Sequence, residues 1–229
     1  MRRQANDRFG AVIFDMDGVL LDSEPLHFAA LNDMLAPEGV TVRPEENQHL
    51  LGTTVEDTFR WIMDRFALPE PVETYKRRYD ERILERLKGD LQPSAGLIAV
   101  LDHLTHLGMP LAVASSSNRA WVEATLRSLN IRERFRVVVS GEDVERGKPD
   151  PEIYLAAAKL LGVNPDVCLV FEDAPTGIQS AKRAGMKVVA LRTPYTKTLR
   201  LEVMADTVID SFKEFHIDAF SSMRDPVRD

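Results

Sequence analysis

The sequence predicts an α/β protein built on a doubly wound parallel sheet, with an all-helical block inserted after the first strand. Short, continuously apolar runs alternate with stretches of helical period over most of the 229 residues. Such runs are typical of strands that are buried on both faces of a parallel sheet. The alternation stops between about residues 24 and 91, where we find only helical patterns.

The first strand is predicted at residues 10–14, an apolar run that stops at an acidic residue. Other runs have the same strand-like character, although the last two are weaker. These further strands are expected at residues 110–114, 166–171, 186–191, 135–139 and 207–209.

Helical periodicity fills the gaps between the strands. Asp150 is a suitable N-cap that places Pro151 at the first helical position, and Gly162 and Gly185 stand where helices should end. The core helices are predicted at residues 97–107, 119–129, 151–161 and 176–184.

The helical block reads as a small inserted domain. Ser23 can cap a helix that runs to Leu35, and Thr53 with Glu56 forms a capping box that opens a helix through Phe66. A third, charged and amphipathic helix is expected at residues 70–87. The predicted domains are residues 1–22 with 93–229 for the core, and 23–92 for the insertion.

The composition argues against several classes of partner. The net charge is −7 and the basic residues are scattered, which disfavours binding to nucleic acid or to an anionic membrane. No apolar run approaches the length of a membrane span. Cys168 is the only cysteine, so no internal disulfide can form, and we expect a cytoplasmic protein.

Polar residues follow four of the predicted strands. Because parallel strands end at one edge of a sheet, we expect these side chains to converge there. Each has an alternative structural interpretation: a serine or asparagine can cap a helix, Lys148 can be a surface residue, and Asp173 can cap the helix that follows it. The residues are Asp15, Asp17, Ser115, Ser116, Ser117, Asn118, Lys148, Glu172 and Asp173.

The carboxylates of this group predict a metal-dependent reaction. Four carboxylates at one edge would repel each other without a cation, and their hard oxygen atoms favour Mg²⁺. Magnesium beside a lysine and a hydroxyl-rich loop suits a phosphoryl group. An aspartate such as Asp15 can attack phosphorus, and a second acid two residues later, Asp17, can transfer protons to and from the reacting oxygens.

The motifs together resemble those of the haloacid dehalogenase-like hydrolases. The similar segments are Phe-Asp-Met-Asp-Gly-Val-Leu at 14–20, Ala-Ser at 114–115, Gly-Lys-Pro at 147–149 and Phe-Glu-Asp at 171–173. Thr-Gly-Ile at 176–178 and Ala-Gly-Met at 184–186 strengthen the match. The resemblance implies a Rossmann-like core with a helical cap domain, as in phosphatases and β-phosphoglucomutases.

The resemblance also implies a role for each core residue. Asp15 would be the nucleophile and a metal ligand, and Asp17 the acid/base, with its backbone carbonyl on Mg²⁺. The phosphate would be held by Ser115, Ser116 and Lys148. Asp173 would bind Mg²⁺, with Glu172 nearby or bound through water. The second acid, Asp17, disfavours the metal-free dehalogenase branch of the family.

The cap residues are expected to choose the substrate. His27 stands at a position that faces the active site in related proteins, although it can also be a partly buried helix histidine. Gly52, Thr53 and Thr54 resemble the family's cap loop that touches substrate. Ser117 and Asn118 are placed to contact the leaving group or the cap. In β-phosphoglucomutases an arginine of this cap loop grips a second phosphate; Val55 stands at that position here.

Three functions remain open from the sequence. The leading one is a phosphatase, expected to be monomeric, that acts on a small phosphorylated metabolite such as a sugar or polyol phosphate. The second is a β-phosphoglucomutase-like isomerase, for which Arg60 or Lys76 would have to replace the missing arginine. The third is a non-catalytic binding protein on the same scaffold.

Overall fold

Six strands form one parallel sheet in the computed structural model, which describes residues 9–47, 50 and 55–216 of the chain. They are β1 (Ala11–Phe14), β2 (Leu111–Ala114), β3 (Val137–Val139), β4 (Cys168–Glu172), β5 (Lys187–Leu191) and β6 (Thr207–Ile209). Their order across the sheet is β3-β2-β1-β4-β5-β6. The chain therefore builds outward on both sides of β1, which is the doubly wound arrangement predicted from the sequence.

Eight α-helices accompany these strands in the described part of the chain. They are α1 (Glu24–Leu35), α2 (Pro44–Asn47), α3 (Val55–Phe66), α4 (Val72–Leu87), α5 (Leu97–His106), α6 (Arg119–Ser128), α7 (Glu152–Leu161) and α8 (Pro175–Arg183). None of these helices is long and apolar enough to span a membrane.

The strand register places the two central strands side by side. Phe14 of β1 pairs with Phe171 of β4, and the N–H of Asp15 donates to the Phe171 carbonyl over 2.9 Å. The two phenyl rings stack with centroids 4.9 Å apart on one face of the sheet. On the other face, α7 packs against side chains of β1 and β2, namely Ala11, Ile13, Ala112 and Ala114. The end of β1 is thereby rigidly fixed, and with it the first acidic motif.

The predicted strands and core helices are found close to their expected bounds, except that β3 and β4 each begin two residues later than expected. Residues 166–167 belong to a short helical turn, Pro165–Val167, because the Val167 N–H bonds to the Asn164 carbonyl, so β4 begins later than expected. At the start of α7, Pro151 already has a helical backbone, and the Asp150 carboxylate accepts from the Glu152 N–H over 3.1 Å, as the predicted N-cap requires.

The described residues divide into two compact units. The first contains the chain up to Leu21, Pro93–Arg119 and the chain from Glu133; the second contains Asp22–Gln92 and Ala120–Arg132. Residues 120–132, which the sequence alone assigns to the core, are thus grouped with the inserted helices. No strand is found between residues 24 and 91 among the described residues, as the sequence predicts.

In the second unit, α4 packs along α1. Tyr75, Tyr79, Ile83 and Leu87 are buried at every fourth position of α4, which is the spacing of one helix face. Ser23 precedes α1 as expected, but its backbone is already helical and its side chain makes no capping hydrogen bond, so the predicted cap is wrong. The predicted capping box of α3 lies outside the described residues.

Candidate active site

The carboxyl ends of β1, β2 and β4 bring the predicted core residues together around one buried lysine. The ammonium of Lys148 lies 2.6 Å from Asp15 Oδ1 and 2.6 Å from Glu172 Oε1. It also donates to the Ala114 carbonyl over 3.2 Å. Lys148 is almost wholly buried, so its interpretation as a surface residue is wrong.

The charge state of Lys148 follows from these contacts. Burial would lower the pKa of its ammonium, but the opposing charges and hydrogen bonds of Asp15 and Glu172 outweigh burial and raise the pKa above its ordinary value. Lys148 is therefore a fixed cation beside the predicted nucleophile.

Glu172 is held in place on both of its oxygens. Its Oε1 accepts from Lys148 and from the hydroxyl of Tyr154, 2.8 Å away. Its Oε2 accepts from the backbone N–H groups of Asp173 and Ala174 over 2.9 and 3.1 Å. A Cβ on Gly177 would lie 1.6 Å from Glu172 Oε1, which explains why a glycine stands there.

Tyr154 is the site residue that the sequence analysis missed. It lies on α7 and is fully buried, with its ring 5.0 Å below the Lys148 ammonium as well as its hydroxyl on Glu172. The sequence does place a tyrosine six residues after Lys148, at a position of the predicted helix that faces the core. A buried phenol hydroxyl needs a polar partner, which could have indicated this contact.

The uncompensated carboxylates have raised pKa values. Burial raises the pKa of Asp15 from 3.8 to about 7. The charge of Lys148 acts to lower this pKa, and the charges of Glu172 and Asp17 act to raise it further. Burial, with the charges of Glu172, Asp15 and Asp17, raises the pKa of Asp173 well above its ordinary value. The lysine alone therefore does not neutralise the cluster.

These residues fit a small divalent cation. One oxygen each from Asp15, Glu172 and Asp173 lies within 4.8 Å of the others. Gly18 has a φ of +73°, and a Cβ there would lie 2.1 Å from Asp173 Oδ2, so the turn after β1 leaves room for that carboxylate alone. Hard oxygen donors of this kind suit Mg²⁺. Asp173 makes no capping bond to α8, whose N-cap is Ala174.

The loop after β2 faces the second aspartate. The Ser117 hydroxyl donates to Asp17 Oδ2 over 2.9 Å. The Ser117 N–H donates to the hydroxyl oxygen of Ser115, which is fully buried, over 3.1 Å. Ser116 is exposed, and Asn118 immediately precedes α6. The structure therefore brings Asp15, Asp17, Ser115, Ser117, Lys148, Glu172 and Asp173 together in the first unit.

The predicted cap residues that the structure describes are not seen to gather around one site. The Nδ1 of His27 lies 2.7 Å from the Tyr79 hydroxyl, and the His27 ring lies 5.7 Å from the ring of Trp121 within the second unit. Gly52, Thr53 and Thr54 lie outside the described residues. Val55, the first residue of α3, is 47% exposed. The substrate roles of these residues stay predictions.

Comparison with known proteins decides the family. The family model described as haloacid dehalogenase-like hydrolase matches residues 12–191, which include every core motif. The chain belongs to this family. The predicted branch, shared by phosphatases and β-phosphoglucomutase-like proteins, and the α/β fold with a helical cap are both confirmed.

Relatives of this haloacid dehalogenase-like hydrolase include named phosphatases. The phosphorylated carbohydrates phosphatase of Thermotoga maritima is 33% identical, over 77% of this chain and 82% of that protein. The fructose-1-phosphate phosphatase YqaB of Escherichia coli is 33% identical, over 81% of this chain and 98% of that protein. The predicted enzyme class, a phosphoric monoester hydrolase of this family, is confirmed.

Solved structures agree with the fold of this hydrolase. CbbY from Rhodobacter sphaeroides, crystallised in complex with phosphate, has a TM-score of 0.82 at 31% identity, over 90% of this chain and 96% of that chain. A protein from Thermotoga maritima, provisionally described as a β-phosphoglucomutase, has a TM-score of 0.79 at 29% identity, over 93% of this chain and 99% of that chain.

Proposed function

We propose that this chain is a Mg²⁺-dependent phosphatase that hydrolyses a small sugar or polyol phosphate through an aspartyl-phosphate on Asp15. The observation that carries the proposal is the buried Asp15, whose Oδ1 lies 2.6 Å from a lysine fixed by Glu172. A buried carboxylate beside a cation, with a second aspartate two residues away, is arranged for attack on a phosphoryl group rather than for stability.

In the first step a carboxylate oxygen of Asp15 attacks the phosphorus of the ester. The bond from phosphorus to the alcohol oxygen breaks, and Asp17 gives its proton to that oxygen so that the alcohol leaves neutral. In the second step a water attacks the phosphorus of the aspartyl-phosphate, and Asp17 takes the proton from the water. The bond between phosphorus and Asp15 breaks, which releases phosphate and restores both aspartates.

Lys148, Ser115 and Ser116 are assigned to phosphate binding. A phosphate dianion approaching Asp15 is repelled by the carboxylates around it, and the Lys148 ammonium at 2.6 Å from the nucleophile offsets that repulsion. Ser115 already accepts one hydrogen bond, from the Ser117 N–H, so its hydroxyl proton is left to donate to a phosphoryl oxygen.

Asp15, Asp173, Glu172 and the backbone carbonyl of Asp17 are assigned to the metal. Mg²⁺ held by these groups supplies the positive charge that lets a phosphate dianion enter an acidic site. The close carboxylate oxygens and the raised pKa values of Asp15 and Asp173 support this assignment, because a bound cation would offset both the burial and the mutual repulsion that raise those pKa values.

The substrate class is supported by the relatives, two of which are named for phosphorylated carbohydrates. An exposed Val55 at the position where mutases have an arginine disfavours the isomerase, which must hold a second phosphate. Asp15, Asp17 and Asp173 are all present, which disfavours a non-catalytic protein.

The assigned catalytic residues come from one chain, so a monomer suffices. The lone, buried Cys168 suits a cytoplasmic protein.

The proposal is tested by measuring phosphate release from a panel of phosphorylated sugars and polyols, with Mg²⁺ and with excess EDTA. We expect stoichiometric release with Mg²⁺ and a loss of activity in EDTA that Mg²⁺ restores. Full activity after exhaustive dialysis against EDTA would contradict the metal requirement. Glucose 6-phosphate formed from β-glucose 1-phosphate and catalytic glucose 1,6-bisphosphate, without phosphate release, would establish the isomerase instead.

A further inference from the structure

Ser117 has a backbone that its neighbours hold on both sides. Its N–H donates to the Ser115 hydroxyl over 3.1 Å, and its carbonyl accepts from the Gly141 N–H over 2.9 Å. A Cβ on Gly141 would lie 2.3 Å from the Ser116 carbonyl oxygen, so the two loops approach as closely as a glycine allows. Ser117 is thus a fixed point between β2 and α6.

From this point the Ser117 hydroxyl reaches Asp17 Oδ2 at 2.9 Å. The contact joins the turn after β1 to the loop after β2, on the two neighbouring strands whose register is fixed by their ladder. A hydroxyl oxygen both donates and accepts, and its proton rotates to suit the partner. With its proton directed at Asp17 Oδ2, the Ser117 hydroxyl restrains the carboxyl group at that oxygen.

Glu172 shows the contrast. Its described partners are all donors, namely Lys148, Tyr154 and two backbone N–H groups, and they hold both of its oxygens. The contact on Asp17 Oδ2 comes instead from a neutral hydroxyl, which orients the carboxyl group but brings no charge to it.

We propose that Ser117 is a positioning residue for Asp17, which keeps the acid/base aligned with the leaving oxygen throughout both chemical steps. This rests on the proposed function, because it assigns Ser117 to the step that Asp17 performs. This role replaces the contact with the leaving group that the sequence predicts for Ser117, so Ser117 then acts on the rate of proton transfer and not on substrate binding.

The experiment compares Ser117→Ala and Ser117→Thr with wild type on two esters: the best alkyl phosphate substrate and p-nitrophenyl phosphate, whose leaving group needs little protonation. We expect Ser117→Ala to lower kcat about three- to ten-fold on the alkyl ester, the effect of one hydrogen bond. We expect little change on p-nitrophenyl phosphate, an unchanged KM on both esters, and recovery in Ser117→Thr, which keeps the hydroxyl.

A double-mutant cycle makes the test specific. In an Asp17→Asn background, Ser117→Ala should cause no further loss on the alkyl ester, because the group that it positions no longer transfers protons. Equal losses on both esters, a raised KM, or a full further loss in the Asp17→Asn background would overturn the inference alone. If Asp17→Asn itself affected both esters equally, the proposed function would fail, and this inference with it.

Discussion

The charged residues of the site and those of helix α4 are paired in opposite ways. In the first unit, the side chains of Lys148, Asp15 and Glu172 are 8%, 10% and 1% exposed and share their contacts. In the second unit, Arg77 and Glu81 of α4 form a pair in which the side chains are 66% and 60% exposed. The side chains of the first set are largely removed from water, whereas those of the second set remain hydrated.

Under the proposed function, this difference separates charges that take part in catalysis from charges that keep a helix face hydrated. Breaking a buried ion pair by removing one partner costs about 3–5 kcal/mol, whereas an exposed pair contributes about 0.2–1 kcal/mol. The site also contains more carboxylates than Lys148 neutralises, as the raised pKa values of Asp15 and Asp173 indicate. A fold would not keep this arrangement for its stability alone.

The largest effect is expected from the nucleophile. Asp15→Asn keeps the size of the side chain but removes the attacking oxygen anion, so turnover should fall by about 10⁴-fold or more. Phosphate release from the best substrate measures it. The matched control is Arg77→Ala on α4, which should turn over at the wild-type rate. Near-normal turnover in Asp15→Asn would contradict the covalent mechanism.

The next effect concerns the acid/base. Asp17→Asn should lower kcat on an alkyl phosphate by about 10²–10⁴-fold, because the alcohol must then leave without a proton. The loss should shrink on p-nitrophenyl phosphate, and inhibition by inorganic phosphate should change little, since binding does not need that proton. A loss of the same size on both esters would speak against a proton-transfer role.

A smaller effect is expected on stability. The folded-state pKa of Asp15, about 7, lies above its ordinary value of 3.8, so the folded protein binds a proton that the unfolded chain has released. The contribution of Asp15 to stability is therefore complete below about pH 4 and is lost as pH rises through 7. Over that range it amounts to a few kcal/mol, on the order that linkage gives for such a shift.

Denaturant unfolding of the metal-free protein at several pH values measures this contribution. Between about pH 5 and pH 8, Asp15→Asn should lose less stability than wild type, and Mg²⁺ should stabilise wild type most at the higher pH. The control is again Arg77→Ala, in which the free energy of unfolding should change with pH as it does in wild type. If the free energy of unfolding changed with pH equally in wild type and in Asp15→Asn, Asp15 would not be the source of this pH dependence.

The smallest effect belongs to the exposed pair itself. Arg77→Ala should lower the free energy of unfolding by only about 0.3–0.5 kcal/mol, because both partners remain hydrated and the pair is one of neighbours on a helix face. Added salt should reduce the difference further. A loss of several kcal/mol would show that the charged face of α4 is buried against a partner in solution.

The site was predictable where a polar residue follows a buried strand. Asp15, Ser115 and Glu172 each come at the end of an apolar run, and parallel strands place such residues at one edge whatever the rest of the chain does. The sheet itself was predictable for the same reason, since its strands are continuous apolar runs with few alternative interpretations.

What could not be predicted depends on contacts between distant residues. The contact of Tyr154 with Glu172, and that of Ser117 with Asp17, require the orientation of a side chain that a pattern does not give. Ser23 has the right type and position for a cap, but its backbone is helical and its hydroxyl is not used as one. In the second unit the pattern of charged residues is typical both of a solvated helix face and of a substrate site, so the pattern alone does not distinguish these two interpretations.

The most direct test of the account is to trap the aspartyl-phosphate. Enzyme quenched during turnover of its best substrate and reduced with borohydride should carry homoserine in place of Asp15, because borohydride reduces an acyl phosphate to an alcohol. Mass spectrometry of the peptide that contains residue 15 measures this conversion, with Asp15→Asn as the unreactive control. Conversion confined to residue 15 is the predicted result. An unmodified Asp15 in enzyme that is turning over, or trapping at another residue, would contradict it.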